Sequence, residues 1–181
     1  ELMDEAPDEA AERVDGAIEA INLTIRDIRN FIYGLRPEAV DGMQVLAGLA
    51  ALAEEVRHGG LVDVETELDV AADPGLDPVG GAELLNLVRE ALSNAVRHGR
   101  AARILLSLVL VDGIPTLTVA DDGVGFDPAR EVSRGHHGLA NMRARAAAIG
   151  GGFEIRSAPG AGARVIVELT RRTADEDGEG R

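Results

Sequence analysis

With 181 residues, the chain is long enough for one domain, or for one domain with a helical appendage. Its formal net charge of −14 disfavours nucleic acid as a partner, because a duplex-binding surface should be basic. The same charge disfavours an anionic membrane, and no apolar run approaches the roughly 20 residues that a bilayer span requires. Since only 2% of the residues are aromatic, the core must be aliphatic.

Cysteine is absent, which excludes disulfides and thiolate metal sites. Such a composition is typical of a reducing compartment, and we expect a cytoplasmic location without direct membrane contact. The chain begins with Glu1 and shows no signal peptide, so we expect it to be a piece of a longer protein.

A heptad pattern runs through residues 8–36 and ends before Pro37. Its apolar positions alternate between spacings of four and three, at Val14, Ile18, Ile21, Ile25, Ile28, Ile32 and Leu35. This pattern predicts a long helix that associates with a second chain, as in a coiled coil or a four-helix bundle. The alternative is an amphipathic helix that packs on its own domain.

The remaining pattern mixes helices and strands. It predicts helices at 43–57, 82–98 and 138–149. It also predicts a strand within 61–70 and a loop at 72–81. The remaining strands form a hairpin of 102–111 and 114–120 and a last hairpin around Pro159, Gly160 and Gly162. In the first two helices we expect a buried side formed by Leu46, Leu49, Leu52, Ala53, Val56, Leu84, Val88, Ala91, Leu92 and Ala95. Strands with helices on one side give an α+β sandwich. The charged tail 171–181 has the composition of a disordered segment.

One polar strip on the predicted helix 82–98 has the chemistry of a cation and phosphate site. Glu90, Asn94 and His98 are spaced i, i+4 and i+8. An amide oxygen from Asn94 suits Mg²⁺, which prefers oxygen ligands beside phosphates. Glu90 is placed to orient or deprotonate a nucleophile or to hold a metal-bound water. Arg97 and His98 are placed to contact phosphate oxygens. The alternative is a solvated helix face.

A second motif, D-x-G-x-G, follows an apolar strand at Asp121, Gly123 and Gly125. An aspartate at a strand end can accept a hydrogen bond from an exocyclic amine, and glycines permit backbone angles that other residues avoid. The alternative is a plain Asp-Gly turn.

Residues 126–142 have the features of a mobile cover. Gly135 and Gly138 offer hinges, and the following helix begins with amide groups that favour an anion. Arg134, His136 and Arg143 add positive charge. A surface loop is the alternative. The order and spacing of the three segments together predict an ATP site.

Taken in this order, the segments resemble the ATP-binding domain of the GHKL superfamily, which includes gyrase, Hsp90, MutL and histidine kinases. NLVREALSNAVRHG resembles the N box, DDGVGF the G1 box, GHHGLANMRARA the G2 box, and GAGARVIVEL the terminal glycine motif and strand. IRNFIYGLRPEAVDGMQVLAGLAALAEEV resembles the second dimerisation helix and linker of NarL/DesK-type sensor histidine kinases, a group that includes actinobacterial redox and oxygen sensors.

The resemblance covers about residues 8–170 and implies a Bergerat ATP-binding sandwich, a mixed sheet with helices on one face, preceded by a long dimerisation-bundle helix. It implies that residues 1–40 belong to the dimerisation region and 41–170 to the catalytic domain. It also implies a homodimer through the heptad helix in the full-length protein, with ATP, Mg²⁺ and a response regulator as ligands and partner.

On the phosphate side, the resemblance implies that Asn94 binds the Mg²⁺ that bridges the ATP phosphates. Glu90 would be the catalytic base that polarises the attacking histidine, and Arg97 and His98 would lie near phosphate. Catalysis of this kind is mostly positioning and charge neutralisation.

On the adenine side, the resemblance implies that Asp121 accepts a hydrogen bond from the adenine amino group. Gly123 and Gly125 would shape the pocket floor, and Gly138 and Leu139 would close the lid over the nucleotide.

The chain departs from the family pattern at the G2 box, where His136 occupies the first glycine position, and in its histidines. None of His58, His98, His136 and His137 has the sequence context of a phosphoacceptor. The resemblance therefore implies the catalytic portion of a sensor histidine kinase, which transfers the γ-phosphoryl group to a histidine outside this chain and thence to a response-regulator aspartate. The alternatives are a GHKL serine kinase of the anti-sigma type, which the heptad helix disfavours, and a non-catalytic dimerisation module with a degenerate nucleotide site.

Overall fold

The computed structural model describes residues 42–60, 62–128 and 137–170. The predicted helix 8–36, the tail 171–181 and residues 129–136 of the predicted cover lie outside the described residues. The described elements are α1 (Gly42–His58), β1 (Asp63–Leu68), a 3₁₀ turn (Val70–Ala72), α2 (Pro78–Asn94), a π turn (Ala95–Gly99), β2 (Arg103–Val111), β3 (Ile114–Asp121), α3 (His137–Ala148), β4 (Gly152–Ser157) and β5 (Ala163–Glu168).

These strands form one mixed sheet in the order β1-β2-β3-β5-β4, in which β1 and β2 are parallel and the other neighbours antiparallel. Alternate residues of the central strands are buried and lie opposite one another, as with Leu106 and Val119, or Leu117 and Val167. These aliphatic residues share a core with the buried residues of α1, α2 and α3. The predicted α+β sandwich with helices on one face is confirmed.

Both predicted hairpins and the predicted helix ends at Gly59 and Gly150 are confirmed. At the β2–β3 turn, Asp112 and Gly113 both have positive φ (51° and 82°), as a two-residue hairpin turn of this type requires. After α3, the amides of Gly150 and Gly151 donate to the carbonyls of Ala147 (3.0 Å) and Ala146 (2.8 Å). This pair of bonds is the Schellman pattern that ends a helix at glycine.

The prediction of a loop over 72–81 is wrong in its second half, because α2 begins at Pro78. The Asp77 side chain caps this end and accepts a hydrogen bond from the Gly80 amide at 2.7 Å. Proline suits the first helical position, where its missing N–H is not needed. Gly80 and Gly81, which suggested a loop, lie in the first turn of the helix instead.

The predicted helix 82–98 is helical throughout, but its α-helical part ends at Asn94. A π turn follows from Ala95 to Gly99, and Arg100 adopts a left-handed conformation with φ of 50°. The regular spacing that predicted His98 one turn beyond Asn94 therefore stops at Asn94. Within the described residues, none of the helices combines the length and the apolar character that a bilayer crossing needs.

Candidate functional site

Two of the predicted site residues, Glu90 and Asn94, lie one turn apart at the C-terminal end of α2 and are both half-buried. The π turn that follows carries Arg97 and His98, which are exposed. A π turn inside a helix is rare and frequently marks a functional site. The structure thus keeps the predicted Glu90–Asn94 pair and sets the two basic residues on a separate turn.

The first turn of α3 approaches this pair at Gly138. A Cβ atom placed on Gly138 would lie 2.9 Å from Glu90 Oε1 and 3.7 Å from Asn94 Nδ2. A larger residue at 138 would require the Glu90 carboxylate, at the end of a flexible side chain, to shift. The neighbouring Leu139 is partly buried and packs against the core. The predicted lid residue Gly138 therefore meets Glu90 and Asn94, whereas Leu139 anchors the start of α3.

Asp121 is the last residue of β3 and is half-buried. It lies opposite Ile104, whose side chain is in the core, so Asp121 is on the side of the sheet that faces the helices. Its Oδ1 atom accepts a hydrogen bond from the Gly123 amide at 2.9 Å. Because an ionised carboxylate has about four lone-pair sites, one such bond leaves capacity for a ligand.

Gly99 connects the end of α2 with the loop that follows β3. Its carbonyl accepts a hydrogen bond from the Val124 amide at 2.8 Å. A Cβ atom on Gly99 would lie 3.3 Å from Asp121 Oδ1 and 3.6 Å from the Asn94 carbonyl oxygen, and one on Gly123 would overlap the Gly99 carbonyl. The segments that carry Asn94 and Asp121 therefore adjoin one another at Gly99. Sequence reasoning missed Gly99, although it is the last residue of the motif that contains Asn94.

The adjacent Asp122 has different surroundings. Its Oδ1 atom accepts hydrogen bonds from the amides of Ala102 (2.8 Å) and Arg103 (2.9 Å), at the start of β2. These two bonds, that of Arg103 foremost, hold the pKa of the exposed Asp122 carboxyl below its ordinary value. Asp122 fastens the loop to the sheet, while Asp121 faces the helical layer.

The turn between β4 and β5 packs against the loop after β3. Gly125 and Gly162 have positive φ (59° and 69°), and a Cβ atom on either would overlap a backbone carbonyl, that of Ala158 or of Asp121. The Gly160 amide donates to the Val124 carbonyl at 2.6 Å. The predicted pocket-floor residue Gly125 thus lies against the turn that the sequence assigned to the last hairpin and to the terminal glycine motif.

Of the positive residues predicted for the cover, Arg143 lies on α3 with its guanidinium 5.6 Å from the centroid of the Phe153 ring. Arg134 and His136 lie outside the described residues. In the part of the chain that the structure describes, no group of three or more His, Cys, Asp or Glu side chains could hold a metal ion by itself. An amide oxygen from Asn94, together with oxygens from a phosphate ligand and water, fits the requirements of Mg²⁺ better than a protein cage does.

Residues 81–173 match the family described as histidine kinase-, DNA gyrase B-, and HSP90-like ATPase. The sensor histidine kinase NarS of Mycobacterium tuberculosis is 33% identical over 87% of this chain and 37% of its own length. The sensor histidine kinase LiaS of Bacillus subtilis is 29% identical over 93% of this chain and 46% of its own length. The chain therefore spans less than half the length of these curated relatives.

Among solved structures, the ATP-binding domain of PrrB from Mycobacterium tuberculosis is 25% identical, with a TM-score of 0.59. The match covers 75% of this chain and 98% of that domain. It agrees with the sheet and helical layer described above.

Proposed function

Because the chain belongs to the family of histidine kinase-, DNA gyrase B- and HSP90-like ATPases, we propose that it is the catalytic portion of a two-component sensor histidine kinase. In this proposal it binds Mg·ATP and supplies the γ-phosphoryl group to a histidine that lies outside the chain, from which a response-regulator aspartate receives it. The names of NarS and LiaS, both sensor histidine kinases, support this choice within the family.

The observation that carries the proposal is the pairing of Asp121 with the end of α2 through Gly99. Asp121 keeps acceptor capacity after its bond to Gly123, and it faces the helical layer rather than bulk solvent. Adenine presents an amino group at position 6, whereas guanine presents a carbonyl oxygen. A carboxylate acceptor at this place therefore favours adenine.

On the phosphate side, we assign Asn94 to Mg²⁺, and Arg97 and His98 to phosphate oxygens. A bound Mg²⁺ neutralises negative charge on the phosphates. With a net charge of −14, the chain must hold an anionic ligand through such local groups and through backbone amides. Gly138 allows the start of α3 to come close to the same ligand.

Glu90 is the residue that we assign to the attacking histidine. Its carboxylate lies beside Asn94 and at the start of α3, where it can accept the proton of an incoming imidazole or orient that ring. The heptad helix 8–36 would bring a second copy of the chain alongside, and so present the acceptor helix of the full-length protein.

The test is phosphoryl transfer from labelled Mg·ATP to a separately supplied helix that carries the acceptor histidine. We expect an acid-labile product, and a rate that falls about 100-fold in Glu90→Gln while nucleotide affinity stays within about twofold. Asn94→Asp should abolish Mg²⁺-dependent binding, because a second carboxylate replaces the neutral amide beside the phosphates.

Other products would contradict the proposal. An acid-stable product would indicate a serine kinase of the anti-sigma type. Absence of nucleotide binding by the unsubstituted chain would indicate a dimerisation module with a degenerate site.

A further inference from the structure

We propose that Ser157 is a positioning residue of the nucleotide site, and that its hydroxyl sets the purine preference of Asp121 by holding the loop after β3 against the β4–β5 turn. The proposal rests on the adenine site proposed above and adds to it a residue from a strand that carries none of the predicted site residues.

The Ser157 hydroxyl joins two backbone segments at once. As the last residue of β4, Ser157 donates from Oγ to the Gly162 carbonyl at 2.7 Å. The same Oγ atom accepts a hydrogen bond from the Phe126 amide at 2.9 Å. Since a hydroxyl has one donor and two acceptor positions, both bonds form together. Ser157 is half-buried, so water replaces these bonds only in part.

Both ends of the loop that contains Gly123 and Gly125 are fixed by the same turn. At its start, the Asp121 carbonyl lies so close to Gly162 that no Cβ atom would fit between them. In its middle, Val124 accepts a hydrogen bond from the Gly160 amide. At its end, Phe126 donates to Ser157. The first two contacts are between backbone atoms, whereas the third uses the Ser157 side chain. A substitution of Ser157 therefore removes one of the contacts that hold the loop and leaves the other two in place.

Release of the loop should affect recognition of the base more than it affects the fold. Asp121 can reject a guanine carbonyl only if its carboxylate is held in one orientation, and that orientation depends on the Gly123 amide within the loop. A loop that shifts lets Asp121 turn away from an unfavourable oxygen. Removal of the hydroxyl should therefore reduce the preference for ATP over GTP, whereas a purely structural role would lower stability and leave the preference unchanged.

The experiment compares Ser157→Ala with Ser157→Thr and with Thr116→Val in the full 181-residue chain. Thr116 is a matched control, because its hydroxyl donates to the Ile114 carbonyl at 3.0 Å at the opposite end of the sheet. Dissociation constants for Mg·ATP and Mg·GTP are measured by titration calorimetry, and stability by urea unfolding.

We expect Ser157→Ala to lower the ratio of ATP to GTP affinity about tenfold, as the loss of two neutral hydrogen bonds allows. Ser157→Thr keeps the hydroxyl, so its ratio should stay within about twofold of that of the unsubstituted chain. The ratio of Thr116→Val should also stay within about twofold, even if this variant unfolds at a lower urea concentration. Should Ser157→Ala fail to fold, Ser157→Cys serves in its place, with a fall of about threefold because a thiol is a weak hydrogen-bonding group.

An unchanged ratio in a folded Ser157→Ala or Ser157→Cys protein would overturn the role of Ser157, provided that the unsubstituted chain prefers ATP. An unsubstituted chain that binds neither nucleotide, or both equally, would instead overturn the adenine site itself. The two failures are therefore distinguishable.

Discussion

The two ends of the sheet use glycine for different reasons. At the end that carries Asp121, a Cβ atom on Gly123, Gly125 or Gly162 would overlap a backbone carbonyl. At the opposite end, a Cβ atom on Gly113 or Gly150 would meet nothing within 4 Å, although both residues have positive φ. Gly113 and Gly150 therefore serve their turns alone, whereas Gly123, Gly125 and Gly162 let three backbone segments meet.

The proposed nucleotide site lies at the end where the glycines are crowded by backbone. Close approach of the α2 end, the loop after β3 and the β4–β5 turn fixes Asp121 relative to Asn94 through backbone atoms. The opposite end has a groove lined in part by Ile114, Pro115 and Leu169, and none of its lining residues is a predicted site residue. Substitutions that remove one contact at a time test which contacts hold the Asp121 end together.

The largest effect is expected from Gly162→Ala, with Gly160→Ala from the same turn as its control. Both positions have positive φ (69° and 81°), so alanine strains the backbone at each by about 1 kcal/mol. A Cβ atom on Gly162 also overlaps the Asp121 carbonyl, whereas one on Gly160 meets nothing within 4 Å. In urea unfolding we expect a loss of about 3 kcal/mol or more for Gly162→Ala. Equal losses in the two variants would show that close approach is not what requires glycine at 162.

A smaller effect is expected from the ion pair between Glu83 on α2 and Arg145 on α3. The pair lies away from Gly138, towards the start of α2, and its side chains are about one-third exposed. A double-mutant cycle with Glu83→Gln and Arg145→Gln should give a coupling of about 0.5–1 kcal/mol in stability. ATP affinity should stay within about twofold, because the contact of Gly138 with Glu90 and Asn94 is separate. A tenfold loss of affinity would show instead that this pair sets the position of α3 over the site.

The smallest effect is expected from Asp122→Asn, because this carboxylate is exposed and screened by solvent. Its folded pKa lies below its ordinary value, so the charged form contributes stability above the unfolded pKa, and that contribution is lost as the pH falls through the folded pKa. The variant should unfold at lower urea than the unsubstituted chain at pH 7. The difference should begin to shrink below about pH 4, where an aspartate in the unfolded chain is protonated, and should vanish once the pH is below the folded pKa. A difference that stays constant down to pH 3 would assign the effect to packing rather than charge.

Much of the fold was predictable because its signals are local. Alternating aliphatic residues marked the strands, and Asp112-Gly113 marked the hairpin, since both residues of such a turn must adopt positive φ. The start of α2 was missed because Gly80 and Gly81 outweighed a cap at Asp77 and a proline at the first helical position. The π turn was missed because α-helical periodicity alone does not reveal an extra residue in the last turn.

The sequence motifs named three of the residues that the proposed function uses. Glu90, Asn94 and Asp121 belong to recognisable motifs, and the structure brings their segments together. Gly99, Ser157 and Gly162 were not named as site residues, because a motif in one sequence does not show which of its residues contact a distant segment. Their roles follow only when strands distant in sequence are placed side by side.

The adenine-binding assignment of Asp121 is the central claim, and calorimetric titration with Mg·ATP tests it most directly. Asp121→Asn should weaken binding about 10- to 100-fold, the range for a hydrogen bond to a charged group. Asp122→Asn, one residue along, should stay within about twofold, because that carboxylate bonds the start of β2. Equal affinity of Asp121→Asn and the unsubstituted chain, or equal losses in the two variants, would contradict the assignment.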